Sequence, residues 1–214
     1  MKTKYLTKAE RSLFTLSSDL KSITVGLLLG DLCAQKLTNL TNTGNTILRF
    51  EQGLVHKEYI SHLYELFESY CSTAPKISNR LPDKRTGKIY TRVKFHTFSL
   101  PCFNELYDLF YPDGKKVIPS NIGDLLTPLG LAYLICDDGS FSKETKFVVL
   151  CTDSYLESDV DSLISVLSNK FELDCRKSRS GNSFRIVIKN NSLDKLRNLC
   201  SQHLHSSMHY KLGL

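Results

Sequence analysis

Residues 127–139 read TPLGLAYLICDDG, and residues 22–32 read SITVGLLLGDL. Each is a helical run, apolar nearly all round, that closes on an acid: Asp138 in the first case, Asp31 in the second. A helix apolar on every side must be buried on every side. Thr127 before Pro128 is a cap followed by proline at the first helical position, Gly139 is a stop, and Ser22 is a candidate cap for an apolar run from Ile23 to Cys33. Gly26 and Gly30, four residues apart, share one face and let a second backbone approach closely. Two such helices laid side by side would bring their terminal carboxylates together. A carboxylate at a helix C-terminus already opposes the dipole, and two adjacent ones repel, unless a divalent cation lies between them. One acid after an apolar helix is an ordinary solvated end; the duplication gives the pattern its weight.

Outward from these runs the chain repeats an order of elements. Thr46 to Gln52 reads as a strand, His56 to Cys71 as an amphipathic helix, Lys76 to Arg80 and Ile89 to Phe98 as a hairpin, and a helix follows Pro101. In the second half Lys146 to Thr152 reads as a strand and Tyr155 to Phe171 as a helix. Leu173 to Ser178 and Ser183 to Lys189 form a hairpin around Gly181-Asn182, and a helix follows Asn191. The closing helices open alike, SLPCFNEL from Ser99 and SLDKLRNL from Ser192, 93 residues apart (192 − 99). The expected fold is α+β: two pseudo-symmetric αββαββα units in a single body, with an N-terminal extension over 1–21, a first half over 22–122 and a second over 123–214.

The chain has 214 residues, 41% of them hydrophobic and 23% charged, enough for a sizeable core. No apolar run is long enough to span a membrane. Seven cysteines form no Cys-x-x-Cys pair and read as reduced core thiols. The formal charge is +6, and it is concentrated. Lys76, Arg80, Lys84, Arg85, Lys88, Arg92 and Lys94 lie within the hairpin, with Asp83 as the acid among them. On its second strand Tyr90, Arg92, Lys94 and His96 alternate with Ile89, Thr91, Val93, Phe95 and Thr97, so one face packs and the other is aromatic and basic. Such a strand face suits a polyanion. His203, His205 and His209 could suggest a transition-metal cluster, but His203 and His205 point to different faces of the expected helix, which argues against one. Tyr133 and Cys136 read as core.

TVGLLLGDL and LAYLICDDG resemble the two copies of the LAGLIDADG motif, and the chain is similar over roughly 23–214 to the double-motif homing endonucleases of that family. The first copy departs from the pattern, with Gly30-Asp31-Leu32 where the consensus has Ala-Asp-Gly. The resemblance implies a monomeric, Mg²⁺-dependent, intron-encoded nuclease that recognises a long asymmetric double-stranded DNA site through a saddle of antiparallel sheets and leaves short 3′ overhangs. It implies metal acids at Asp31 and Asp138, with backbone carbonyls of Gly30 and Asp137 as further ligands, and active-site cations at Lys116 of GKKVIP and Lys211 of MHYKL. Mn²⁺ is expected to substitute, and Ca²⁺ to support binding without cleavage.

For such a saddle the DNA-binding candidates are Tyr90, Arg92, Lys94, His96, Arg49, Glu51, Lys76 and Arg80, then Arg176, Arg185 and Lys189. Lys84, Arg85 and Lys88 in the loop are expected on phosphates. Two other classes stay open: an RNA-binding maturase acting on intron RNA, and a catalytically silent DNA-binding protein that would be expected to lose one acid. The N-terminus MKTKYLTKAER has neither an apolar signal core nor transit-peptide character. With the resemblance, that points to translation inside an organelle, the mitochondrion ahead of the chloroplast.

Overall fold

The computed structural model describes residues 5–36 and 44–214, so the first four residues of the N-terminal reading lie outside the described residues. Its helices are α1 (Lys8–Ser12), α2 (Ser18–Leu29), α3 (Lys57–Phe67), α4 (Asn104–Phe110), α5 (Ile122–Leu125), α6 (Pro128–Asp138), α7 (Glu157–Phe171) and α8 (Leu193–Cys200). Its strands are β1 (Cys33–Lys36), β2 (Thr46–Gly53), β3 (Lys76–Asn79), β4 (Thr91–His96), β5 (Gly139–Phe141), β6 (Val148–Leu150), β7 (Cys175–Ser180) and β8 (Ser183–Ile188). The order αββαββα runs from α2 to α4 and again from α6 to α8. Each repeat forms a four-stranded antiparallel sheet of the same topology, β1-β2-β4-β3 and β5-β6-β8-β7.

Contacts group the chain into two compact units that do not follow the repeat boundary. One holds Met1–Ser17 and Asp31–Tyr107, the other Ser18–Gly30 and Asp108–Leu214, so the first motif helix belongs with the second repeat. In the first unit α3 covers the inner face of its sheet because Tyr59, Ile60, Leu63 and Phe67 recur at helical spacing and are buried. Phe50 stacks on Phe95 at 4.3 Å between ring centres and meets Phe67 at 5.0 Å. The Tyr70 ring packs on Phe14 and Phe103, and its hydroxyl donates to the Thr15 carbonyl at 2.6 Å. In the second unit Val160, Leu163, Leu167 and Phe171 of α7 are buried, as are Val148, Leu150, Ile186 and Ile188 of the sheet it covers.

Several boundaries differ from the sequence reading. α2 starts at Ser18, so Ser22 is an interior residue and not a cap. The helix stops at Leu29 although the apolar run continues: Gly30 closes it by donating to the carbonyls of Gly26 and Leu27, and Cys33 is an exposed strand residue. Thr127 does cap α6, its hydroxyl accepting from the Gly130 amide at 3.1 Å. β4 begins only at Thr91, which leaves Ile89 60% exposed; the packed face runs through Val93, Phe95 and Thr97. All seven cysteines are thiols outside any disulfide, but only Cys136 and Cys200 are buried, so most of them are not core residues. Among the described residues no helix is long and apolar enough to cross a membrane.

Candidate DNA-cleavage site and nucleic-acid interface

α2 and α6 cross at their glycines. A Cβ on Gly26 would lie 1.9 Å from the Gly130 carbonyl oxygen, and one on Gly130 would lie 2.8 Å from the Ser22 oxygen. Farther along, a Cβ on Gly30 would lie 2.6 Å from the Asp137 Cβ. No side chain fits at the first two points, so the small residues set how closely the helices approach. Each motif acid is the next residue in the chain after the Gly30–Asp137 contact.

The helix ends carry a matched pair of hydrogen bonds. The Lys116 ammonium donates to the carbonyl of Gly30, the residue before Asp31. The Lys211 ammonium, on a buried side chain, donates to the carbonyl of Asp137, the residue before Asp138, at 2.7 Å. The two lysines therefore serve equivalent carbonyls, as their 95-residue interval (211 − 116) suggests. The sequence places Tyr155 at the start of a helix, but α7 begins at Glu157 and Tyr155 precedes it. Its hydroxyl donates to the Leu29 carbonyl at 2.9 Å, satisfying another C-terminal carbonyl of α2. Burial, with the Asp138 charge nearby, pushes its phenol far above the usual range. In the first unit, Gln52 Nε2 donates to Asp31 Oδ2 at 3.0 Å, which orients that carboxylate.

The carboxylates of Asp31 and Asp138 and the carbonyls of Gly30 and Asp137 all offer oxygen donors. Hard oxygen donors suit a hard divalent cation, while each of the two carbonyls already accepts from an ammonium group. Among the described residues no group of three or more His, Cys, Asp and Glu side chains is placed to hold a metal. His205 Nδ1 instead lies 2.7 Å from Ser207 Oγ.

The outward face of the first sheet presents its candidates in rows. Arg49 lies opposite His96, Glu51 opposite Lys94, and Lys94 opposite Lys76. These residues line a cleft of about 450 Å³. Two lysines directly opposed across strands repel, an arrangement that an anion relieves. Arg49 Nε donates to Gln35 at 3.0 Å. Arg80 lies just past β3 and Tyr90 just before β4, joined by an Arg80 amide to Tyr90 carbonyl bond of 2.8 Å. Burial would raise the Glu51 carboxyl, but the Arg92 and Arg80 guanidiniums outweigh it and hold the group below the usual carboxylate range. Asp83, the acid within the basic hairpin, is a turn former: its carboxylate accepts from the Thr86 and Arg85 amides at 2.8 and 3.0 Å, exposing Lys84, Arg85 and Lys88 at the tip.

In the second unit Arg176 and Arg185 share the outward face, Arg176 over the Phe147 ring at 5.9 Å. Lys189 lies past the end of β8 with its ammonium 2.9 Å from Asp174, so a carboxylate already offsets its charge. Lys177 belongs to the other face, bonded to Glu157 and Asp161 of α7. The alternation is weaker here than in the first sheet, since Ile186, Val187 and Ile188 are all buried.

The LAGLIDADG DNA endonuclease family matches residues 21–196. The chain is 32% identical to the cytochrome b mRNA maturase bI2 of Debaryomyces hansenii, over 92% of this chain and 75% of that protein. It is 30% identical to the probable intron-encoded endonuclease 1 of Wickerhamomyces canadensis, over 92% of this chain and 85% of that one. Among solved structures it resembles the homing endonuclease I-WcaI bound to its DNA recognition sequence, with a TM-score of 0.85, 29% identity, and coverage of 93% of this chain and 88% of the other. By this match over most of its length, the chain belongs to the LAGLIDADG DNA endonuclease family.

Proposed function

We propose that the chain is an intron-encoded, site-specific endonuclease that binds a long asymmetric DNA duplex as a monomer and cuts both strands to leave short 3′ overhangs. The observation that carries the reading is the duplicated end of the motif helices, where an ammonium group is fixed to the carbonyl preceding each acid. Bound Mg²⁺, with Mn²⁺ able to replace it, would activate water and stabilise the attacking and leaving oxygens. Asp31 and Asp138 would supply the charged ligands, with the carbonyls of Gly30 and Asp137 as neutral ones. Lys116 and Lys211, held by those carbonyls, would place one cation near each scissile phosphate. The outward faces of the two sheets would track the major groove, where side chains two apart on a strand reach successive base edges. Yeast relatives encoded in introns favour the mitochondrion as its site of action.

Incubating the chain with a library of randomised long duplexes and Mg²⁺, then sequencing the ends, tests the reading. Cut ends with a defined consensus and a fixed 3′ overhang are expected; uncut or randomly nicked DNA argues against it. A second reading, an RNA-binding maturase, is favoured by the similarity to a cytochrome b mRNA maturase. It predicts binding of the host intron transcript that survives loss of cleavage.

The loop cations give a separate expectation. Neutralising Lys84, Arg85 and Lys88 together should weaken binding alike on all sequences and make the log-log salt dependence shallower by about 0.9 for each phosphate no longer neutralised. A changed cleavage consensus with an unchanged salt slope would show that the loop reads bases instead.

A further inference from the structure

Each sheet holds one outward arginine against a carboxylate. In the first unit Arg92 Nη1 donates to Glu51 Oε2 at 2.7 Å and Arg92 Nε to Ser78 Oγ at 3.3 Å, while the other Glu51 oxygen takes Arg80 at 2.5 Å. In the second unit Arg185 donates Nε and Nη2 to the two oxygens of Asp153 at 2.8 and 2.5 Å, a two-pronged pair. Arg92 lies opposite Ser78 on the neighbouring strand and Arg185 opposite Ser178. The arginines are 93 residues apart (185 − 92), the interval of the closing helices, so they are equivalents in the repeat.

Their acids are not equivalents. Glu51 pairs with Lys94, whose counterpart 93 residues on is Val187; Val187 pairs with Val149, so the second-repeat counterpart of Glu51 is a valine. Asp153 instead lies three residues beyond the end of β6. A carboxylate thus reaches the same arginine from two different places in the fold. Half-exposed pairs add little to stability: these four side chains are 28–41% exposed. Each acid also subtracts from the positive charge that attracts phosphates. Neither folding nor overall affinity gives a reason for both.

We infer that Glu51 and Asp153 are positioning residues for base readout, each holding a guanidinium so that its remaining N–H groups meet a base edge such as guanine O6 and N7. A held arginine has already given up the rotamer freedom that an unheld one loses on binding, and its fixed fork cannot swing to the nearest phosphate. The acid exchanges general affinity for discrimination. This rests on the reading of the sheets as DNA-binding surfaces, and the control variants separate the two.

The experiment selects bound sequences from a randomised duplex library in Ca²⁺ with wild type, Asp153→Asn, Arg185→Ala and the double variant, and in parallel with Glu51→Gln, Arg92→Ala, Arg80→Ala, the two arginine changes combined, and all three. Asp153→Asn should broaden preference at the base pairs that Arg185→Ala broadens, by roughly tenfold in discrimination. Binding to random duplex should be equal or tighter and the thermal midpoint unchanged. The double variant should be no broader than Arg185→Ala alone. Glu51 holds Arg80 as well as Arg92. Glu51→Gln should therefore broaden the positions that Arg92→Ala and Arg80→Ala broaden, and its combination with both arginine variants should be no broader than those two together. Tighter binding to every sequence with preference intact, or additive effects in the double or triple variant, would overturn the positioning role. An effect of the arginine variants without any effect of the acid variants also overturns it while leaving the DNA interface standing. Arginine variants with wild-type preference and affinity would take down both.

Discussion

Asp31→Asn and Asp138→Asn are each expected to abolish double-strand cleavage in Mg²⁺ while specific binding in Ca²⁺ survives. Asparagine keeps the shape of the side chain, and at position 31 an oxygen that can still accept from Gln52, whose present bond is 3.0 Å. It removes the negative charge that a hard divalent cation requires. Without that cation the attacking and leaving oxygens lose several kcal/mol of stabilisation, and at about 1.4 kcal/mol per tenfold the rate should fall by roughly three orders of magnitude or more. Asp137→Asn is the control. The Asp137 contribution at the helix end is its backbone carbonyl, which accepts from Lys211 and is unchanged by the substitution. Single-turnover cleavage beside a binding isotherm distinguishes the cases. Full cutting by either motif variant would remove Asp31 and Asp138 from the mechanism, and equal loss at Asp137 would mean that the wrong acid of the pair had been chosen.

The second large effect is on folding. In Gly26→Ala the new methyl carbon would lie 1.9 Å from the Gly130 oxygen, a distance that no rotamer change relieves because a Cβ has no rotamer and the oxygen belongs to buried helical backbone. The helices must separate, and the loss of packing along α2 and α6 should cost about 3 kcal/mol, the upper end for overpacked cores. For a chain of this length that lowers the thermal midpoint by roughly 6–12 °C. Gly123→Ala on α5 serves as comparison: its Cβ would lie 3.5 Å from a Val166 methyl, ordinary contact, and its midpoint should not fall. Equal midpoints for the two variants would show that the crossing tolerates a wider separation than its geometry implies.

The two motif helices were legible because burial on all sides leaves a composition that little else produces, and Thr127-Pro128 marked one start without ambiguity. The basic strand face was legible where a solvated side alternates with a packed one, as from Thr91 to His96. Short strands were harder. β1 and β5 have four and three residues and follow a motif helix almost at once, so neither carries enough alternation to set its bounds. Ser22 misled because the apolar run begins at Ile23, while the helix extends a further, mostly polar turn toward Ser18. The tie between Tyr155 and Leu29 spans 126 residues, and no local pattern announces it. Charge alone could not sort the cations: Lys177 and Arg176 are neighbours in sequence, yet one is bonded to a helix beneath the sheet and the other faces outward.

The lysine anchors also bear on when the protein becomes dangerous to DNA. Gly30 receives its ammonium from 86 residues downstream, and Asp137 from 74 residues downstream. A ribosome adding residues from the N-terminus exposes both motif helices long before Lys211 emerges, and a chain that ends or unfolds short of that point has at least one carbonyl without its cation. If the two ammonium groups serve cleavage as proposed, competence to cut waits until the chain has folded through Lys211, because both carbonyls receive their cations from far downstream.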